Sequence, residues 1–465
     1  MKHLYPLTIA LLLAAPAAAQ RTAPPTPALV DPSVATLRDA ALKDDVAYDI
    51  VEGLTTEVGQ RMAGTEAEAR ARDWAVKKLT ALGFSNVRAE PYRMPVWVRG
   101  EESAELIAPV PQKLALTALG NSASTGARGL TGEVAVFPSY VEFANAPAAA
   151  VKGKIVYVGN AMQPTQDGSG YGANGTARFT GPALAAQRGA LAIVIRSIGT
   201  DTHRLPHTGV TDFPKGVAPI PAAALSAPDA TLIERLARRG QPIRLKLLLT
   251  PKMIGERESG NVIAEVPGTD PAAGVVLVGG HLDSWDLGTG AIDDASGVAI
   301  TAAAAKRILD SGQRPRRTIR VVWFGAEEVG GVGGADYAKR HGAERHAIAS
   351  ESDFGADRVW RFETQLPDSA KAVAARLASA LAPLGIVAGN GRAGDGTDIA
   401  PTIATGVAGV DLNQSGLRYF DTHHTPDDVL ERVDPEQLRQ NVAAWTTMLA
   451  IVANAPEEIG PVPRP

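Results

Sequence analysis

The 465-residue chain contains no cysteine. Disulfide staples and thiolate metal ligands are both excluded, so the fold must stand on its core, and any zinc site in it must be built from His, Asp and Glu. No sign of charge dominates: 46 Lys and Arg face 50 Asp and Glu, a formal net charge of −4 with both signs interspersed. Without a basic face the chain has nothing to attract a phosphate backbone or anionic lipid, which argues against nucleic acid as a partner. Beyond the N-terminus, no apolar run approaches the roughly 20 residues that a membrane span needs. Apolar residues make up 45% and charged ones 21%, an ordinary globular composition, and the length suits two or three domains.

What is present begins with "MKHLYPLTIALLLAAPAAAQ". Lys2, an apolar stretch from Leu4 to Ala15, and Ala17 and Ala19 at A-x-A spacing predict a secretory signal over residues 1–19, cleaved near Gln20. The mature chain is then expected in the periplasm or the medium, with no membrane association after cleavage. In "GTEAEARARDWAVKKLTALG", Thr65 and Glu68 form a capping box, Ala71, Ala75, Leu79 and Leu82 share one face, and Gly83 stands at the C-cap. That spacing predicts an amphipathic helix.

From Pro109 to Thr250, short apolar runs such as "GKIVYVG" and "ALAIVIRS" are separated by Gly, Pro and Ser, which predicts a separate strand-rich domain. From "SGNVIAEVPG" onward, apolar strands alternate with helices. The fold class expected is therefore α/β, a mostly parallel or mixed sheet flanked by helices. "DPEQLRQNVAAWTTMLAIV" closes the domain as a helix with Leu438, Val442, Trp445, Leu449 and Val452 in a stripe. The expected division is 20–108 and 251–457 for the α/β domain, with 109–250 inserted between them.

The stretch "VVLVGGHLDSWDLGTGAIDDASG" places His281 and the aspartates Asp283, Asp286, Asp293 and Asp294 among glycines. So many carboxylates beside one histidine repel one another unless cations sit among them. Open α/β sheets bind ligands beyond the C-terminal ends of their strands. Here "VVLVGG" delivers His281, "VVWFGAEE" delivers Glu327 and Glu328, "HAIASESD" delivers Asp353, and "FDTHHTPDD" adds His423 and His424. Singly, each of these is more often a surface or turn feature than a ligand. Their shared placement suits two divalent ions about 3.5–4 Å apart. With no thiols, zinc leads and cobalt or manganese remain open.

"GGHLDSWDLGTGAIDDASG", "FGAEEVGGVGGADYA", "ESDFGAD", "GDGTDIAP" and "FDTHHTPDD" together resemble the co-catalytic dizinc exopeptidases, specifically the carboxypeptidase Q family with its bacterial relatives. "PHTGV" and "IPAAALSAPDA" extend the likeness into a middle segment similar to an inserted protease-associated domain. The resemblance implies two zinc ions per chain, with His281 and Asp353 on one, Glu328 and His424 on the other, and Asp293 bridging. It makes Glu327 the general base, Asp283 the partner that orients His281, and Asp294 the residue joined to Asp293 by a cis peptide. It implies small peptide substrates and a homodimer. Some relatives have tyrosine where His423 stands, which leaves its role open. Asp398 in "GDGTD" and His207 are candidates to approach substrate, and turn chemistry accounts for "GDGTD" equally well. Asp286 receives no role.

Two cations and a carboxylate supply what amide hydrolysis needs: a polarised carbonyl, an activated water and a proton for the leaving amine. The leading expectation is an exported exopeptidase for dipeptides or short peptides. An aminopeptidase acting on longer peptides is the alternative. A non-catalytic binding protein and an acyl-transferring cyclase on similar folds are more distant readings.

Overall fold

The computed structural model describes residues 29–394 and 396–462. The expected signal, residues 1–19, and its cleavage point at Gln20 lie outside the described residues. Among the described residues the strands form two eight-stranded sheets. In chain order they are β1 (Ser85–Val98), β2 (Glu102–Ala108), β3 (Gln112–Leu114), β4 (Leu116–Ala118), β5 (Leu130–Phe137), β6 (Ile155–Val158), β7 (Ala192–Arg196), β8 (Ala222–Leu225), β9 (Arg244–Leu249), β10 (Lys252–Val266), β11 (Val275–His281), β12 (Ile319–Phe324), β13 (His346–Glu351), β14 (Val359–Gln365), β15 (Val387–Ala388) and β16 (Ala408–Gln414).

The first sheet has the order β1-β10-β12-β11-β13-β16-β14-β15. Its centre, β12-β11-β13-β16, is parallel, with antiparallel β10 and β14 on the two sides. β12 and β13 are buried along their whole length and β11 along all but its first residue. That is why they read as continuous apolar runs rather than alternating ones: helices cover both faces. The helix Ser296–Asp310 packs closely because its inner positions include Ala302, Ala303, Ala304 and Ala305. The helix Pro435–Val452 is capped by Asp434, which accepts from the N–H groups of Glu436 and Gln437, and it buries Leu438, Val442, Trp445, Leu449 and Val452. Each such side chain contributes about 1.5–3 kcal/mol on full burial.

The second sheet, β3-β2-β9-β5-β6-β7-β8-β4, is built from one continuous stretch of chain between β1 and β10. It begins earlier than the boundary at Pro109. β2 belongs to it, pairing with β9 so that Leu106 faces Leu245. The reason is legible in "ESAELIA", where buried Ala104 and Leu106 alternate with more exposed neighbours, as in an antiparallel strand with one face on a core. The helix Glu66–Ala81 forms, with the Thr65 hydroxyl accepting from the Glu68 N–H. The capping box is half-made, because the Glu68 carboxylate accepts from the Gly64 N–H and the Ser259 hydroxyl instead of closing on Thr65.

Candidate metal centre

The parallel register brings the chemistry to one edge of the first sheet. His281, the last residue of β11, lies level with Phe324 at the end of β12, so Glu327 and Glu328 follow within one turn. Asp353 follows β13 on the other side of β11. Asp293 comes from the turn that leads into the helix Ser296–Asp310, and His423 and His424 follow the short helix Tyr419–Thr422 after β16.

Asp293 stands at the centre. Its Oδ1 is 3.0 Å from His281 Nε2, which is also 3.4 Å from Asp353 Oδ1. Its Oδ2 is 3.1 Å from His424 Nε2, which is 2.9 Å from Glu328 Oε2. The two oxygens of one carboxylate thus face two separate half-sites. His423 joins the second of them: its Nε2 is 3.4 Å from Asp293 Oδ2, and its ring stacks on His424 with centroids 3.5 Å apart. The sets His281–Asp293–Asp353 and Asp293–His423–His424 each gather ligand atoms close enough to hold one ion.

The surroundings hold these side chains in place. Asp428 accepts from the N–H groups of Ile292 (2.6 Å) and Asp293 (3.2 Å). Asp294, joined to Asp293 by a cis peptide, accepts from the N–H groups of His281 and Gly297. His424 and Ala326 sit at φ 58° and 60°, left-handed backbone that non-glycine residues adopt only where their surroundings impose it. His424 Nδ1 faces the Thr208 carbonyl at 3.3 Å, so the loop before β8 orients one candidate ligand.

Three expectations are corrected. The Asp283 carboxylate does not hold His281. The Nδ1 of that ring is 2.9 Å from the Asp283 main-chain carbonyl, whereas the Asp283 carboxylate is 3.7 Å away and accepts from the Glu327 N–H. Asp398 is fully buried, its Oδ1 accepting from the Gly334 N–H behind the cavity wall, so it supports the loop rather than meeting substrate. His207 is also buried, its Nε2 2.9 Å from Asp201. Asp286, left without a role, pairs with Arg99 at 2.9 Å, and Arg99 in turn bonds Thr208 Oγ1.

Arg61 and Asp428 are the residues that motif reasoning passed over. Fully buried Arg61 donates to the main-chain carbonyls of Leu282, Thr289 and Gly290, at both ends of the loop between His281 and Asp293. No local pattern marks "GQRMAG"; Asp428, by contrast, closes the quoted "FDTHHTPDD".

The electrostatics are those of a cation site. Burial pushes the carboxyls of Asp353 up to about 7 and of Glu328 up to about 8. Burial disfavours charge on His281 and His424, yet Asp353 beside the first and Glu328 beside the second raise both well above the usual histidine range. Asp293, although buried, is held well below the carboxylate range by hydrogen bonds to those two imidazoles. Glu328 Oε1 is buried without a hydrogen-bond partner. An all-oxygen-and-nitrogen donor set with an orphaned carboxylate oxygen fits divalent zinc. Beside it opens a cavity of about 580 Å³ whose walls include Glu327, Asp353, Tyr171, Arg178, Phe354 and Phe420.

Known proteins resemble this chain over most of its length. The model of peptidase family M28 matches residues 261–449. The chain is 37% identical to carboxypeptidase Q of Bos taurus over 413 residues, 88% of this chain and 86% of that protein. It is 35% identical to carboxypeptidase Q of Homo sapiens over 413 residues, again 88% and 86%. Among solved structures, a peptidase M28 precursor from Shewanella amazonensis superposes with a TM-score of 0.90 at 45% identity, covering 93% of this chain and 98% of that one. A zinc aminopeptidase from Bacillus subtilis shares the fold, with a TM-score of 0.63 at 20% identity over 90% of this chain and 97% of that one. The chain belongs to peptidase family M28 and is a metallo-exopeptidase of that family.

Proposed function

We propose that the protein is an exported dizinc exopeptidase that hydrolyses dipeptides or short peptides with free termini. The observation that carries this reading is the division of Asp293 between two half-sites, its Oδ1 toward His281 and its Oδ2 toward His424. His281, Asp353 and Asp293 would hold one zinc, and Glu328, His424 and Asp293 the other. Two zinc ions there would polarise the scissile carbonyl and acidify the attacking water.

The protein's own groups do the rest. Glu327, half-buried on the cavity wall, takes the proton from the attacking water and passes it to the leaving amine. Its main-chain N–H is fixed by the Asp283 carboxylate at 3.2 Å. The second sheet is read as a protease-associated domain whose helix Gly170–Phe179 closes the cavity on the side of His423 and His424, the Tyr171 ring lying 5.2 Å from that of His423. That closure limits substrate length.

Zinc analysis of the exported protein, combined with hydrolysis of a free dipeptide, its N-acetyl form, its amide and a matching pentapeptide, tests the reading. Two zinc ions per chain and fast cleavage of the free dipeptide alone are expected. Equal cleavage of dipeptide and pentapeptide would replace the dipeptidase reading with an aminopeptidase. Rapid cleavage of the N-acetyl form would defeat both.

A further inference from the structure

The glycine-rich "QDGSGYGANGTARFTG" forms the helix Gly170–Phe179, which places Arg178 on the cavity wall. Arg178 is only 3% exposed. Among the described residues it forms no ion pair. Its hydrogen bonding is confined to Nη1, which donates to the Thr208 carbonyl at 3.2 Å, and its Nε is buried without a partner. The guanidinium lies over the rings of Phe179 (4.4 Å) and Tyr171 (5.4 Å). Space for it is kept by Gly209, at φ 140°, where a Cβ would come within 2.2 Å of Nη1.

This charge is tied to the metal centre. The Thr208 carbonyl that accepts from Arg178 also faces His424 Nδ1. Next to it, His423 Nδ1 is buried without a partner, and so is Nδ1 of His207, whose ring centroid is 6.3 Å from that of His423. Two unpartnered nitrogens, Arg178 Nε and His423 Nδ1, therefore belong to residues of the cavity wall, with His207 packed behind them. A buried guanidinium with no counter-charge is costly unless an anion completes it. The cavity's other arginine differs: Arg361 has Glu363 at 3.5 Å and Asn413 at 3.2 Å, so its charge is already matched.

Resting on the exopeptidase reading, we propose that Arg178 is the specificity-determining residue that binds the terminal carboxylate of the amino acid leaving from the scissile bond. A carboxylate suits it because a planar guanidinium takes a planar anion through paired N–H groups. It is also the charge a dipeptide carries one residue beyond the bond that is cut. Tyr171, Phe179 and Phe420 along the same wall give that residue's side chain an apolar bed.

The test compares alanyl-leucine with alanyl-leucine amide on the zinc-loaded full chain and on Arg178→Met and Arg178→Lys. The methionine variant should lose about 10²–10³-fold in kcat/KM on the free dipeptide, because a buried carboxylate is left unpaired, and little on the amide. The lysine variant should lose about tenfold on the free dipeptide alone, since it keeps charge without the planar fork; it carries the test if the methionine variant does not fold. In a Glu327→Gln background, calorimetry should show the Kd of the free dipeptide rising with Arg178→Met while that of the amide holds. Preference for the free dipeptide that survives loss of Arg178 overturns the assignment and leaves the exopeptidase reading standing. Absence of peptide cleavage by the unsubstituted zinc protein overturns that reading first, and the assignment with it.

Discussion

The two walls of the cavity are polarised in opposite senses. On the wall made by the strand ends of the first sheet, buried oxygens lack partners: Glu328 Oε1 and Glu351 Oε1. On the wall facing it, built from the helix Gly170–Phe179 and the loop after β16, it is nitrogens that lack them: Arg178 Nε and His423 Nδ1. Each set alone is unfavourable, since polar and charged groups out of water go unsolvated. Together they describe what belongs between them, cations at one end and an organic anion at the other. Part of this pairing is already made, His423 Nε2 lying 3.4 Å from Asp293 Oδ2, whereas Arg178 has no acid partner among the described residues, which leaves that place to a ligand.

The sharpest break of this comparison lies on the oxygen wall. Glu327→Gln keeps the shape and removes the proton acceptor, so kcat should fall by about 10²–10⁴ while zinc content stays at the unsubstituted level. Asp293→Asn should do the reverse in kind, lowering zinc content itself, because both half-sites share that carboxylate. Metal analysis beside steady-state kinetics separates the two. Full turnover in Glu327→Gln would remove Glu327 as the base.

How far each wall was legible differs for a physical reason. The candidate ligands His281, Glu328 and Asp353 are readable because parallel strands deliver the residues at their ends to one edge, so sequence order becomes spatial neighbourhood, whereas His424 comes from a loop beyond β16. The second sheet starts before Pro109, at β2, whose alternating Ala104 and Leu106 are legible but follow the long β1 after only a three-residue turn. Arg178 gave no signal: its significance lies in the acid that is not near it, and absence of a partner is a property of the packed molecule. Arg61 is invisible for the same kind of reason, since main-chain carbonyls as partners leave no trace in residue identity. Asp283 does face His281, but through its main-chain carbonyl, a contact that residue identity does not encode.

Glu68 offers a buried carboxyl away from the cavity against which the oxygen wall can be compared. Burial, countered in part by Arg72 and reinforced by the Asp283 carboxylate, raises it from 4.5 to about 7. The folded state therefore holds its proton more tightly than the unfolded chain does. Its contribution to stability is fully present below pH 4.5 and is lost as pH rises through about 7. Relative to the unsubstituted protein, Glu68→Gln should gain stability across that window by on the order of 3 kcal/mol. Denaturant unfolding of both proteins from pH 4.5 to 7.5, with and without zinc, measures it, and the difference should be the same in both series. If zinc abolishes it, Glu68 belongs electrically to the metal centre and the distinction between the two kinds of buried acid fails.

The smallest expected effect tests whether the oxygen wall is held in shape before any cation arrives. Arg61 touches none of the ligand side chains, yet its guanidinium spans the carbonyls of Leu282 at one end of the metal loop and Thr289 and Gly290 at the other. Burial lowers its guanidinium below the ordinary arginine range, while Asp428, Asp283, Asp294 and Asp293 pull the other way. Arg61→Met removes clamp and charge together, whereas Arg61→Lys keeps a charge that cannot reach all three carbonyls. If geometry is what matters, both variants should weaken zinc about 10–100-fold in chelator competition, as loss of supporting contacts around metal ligands does. If charge is what matters, the lysine variant should bind zinc like the unsubstituted protein and only the methionine variant should weaken. The spacing of the carbonyls favours geometry, because no single ammonium group spans them. A cobalt-substituted absorption spectrum that changes shape in the lysine variant would show the ligands displaced, and an unchanged spectrum with unchanged affinity would remove Arg61 from the centre.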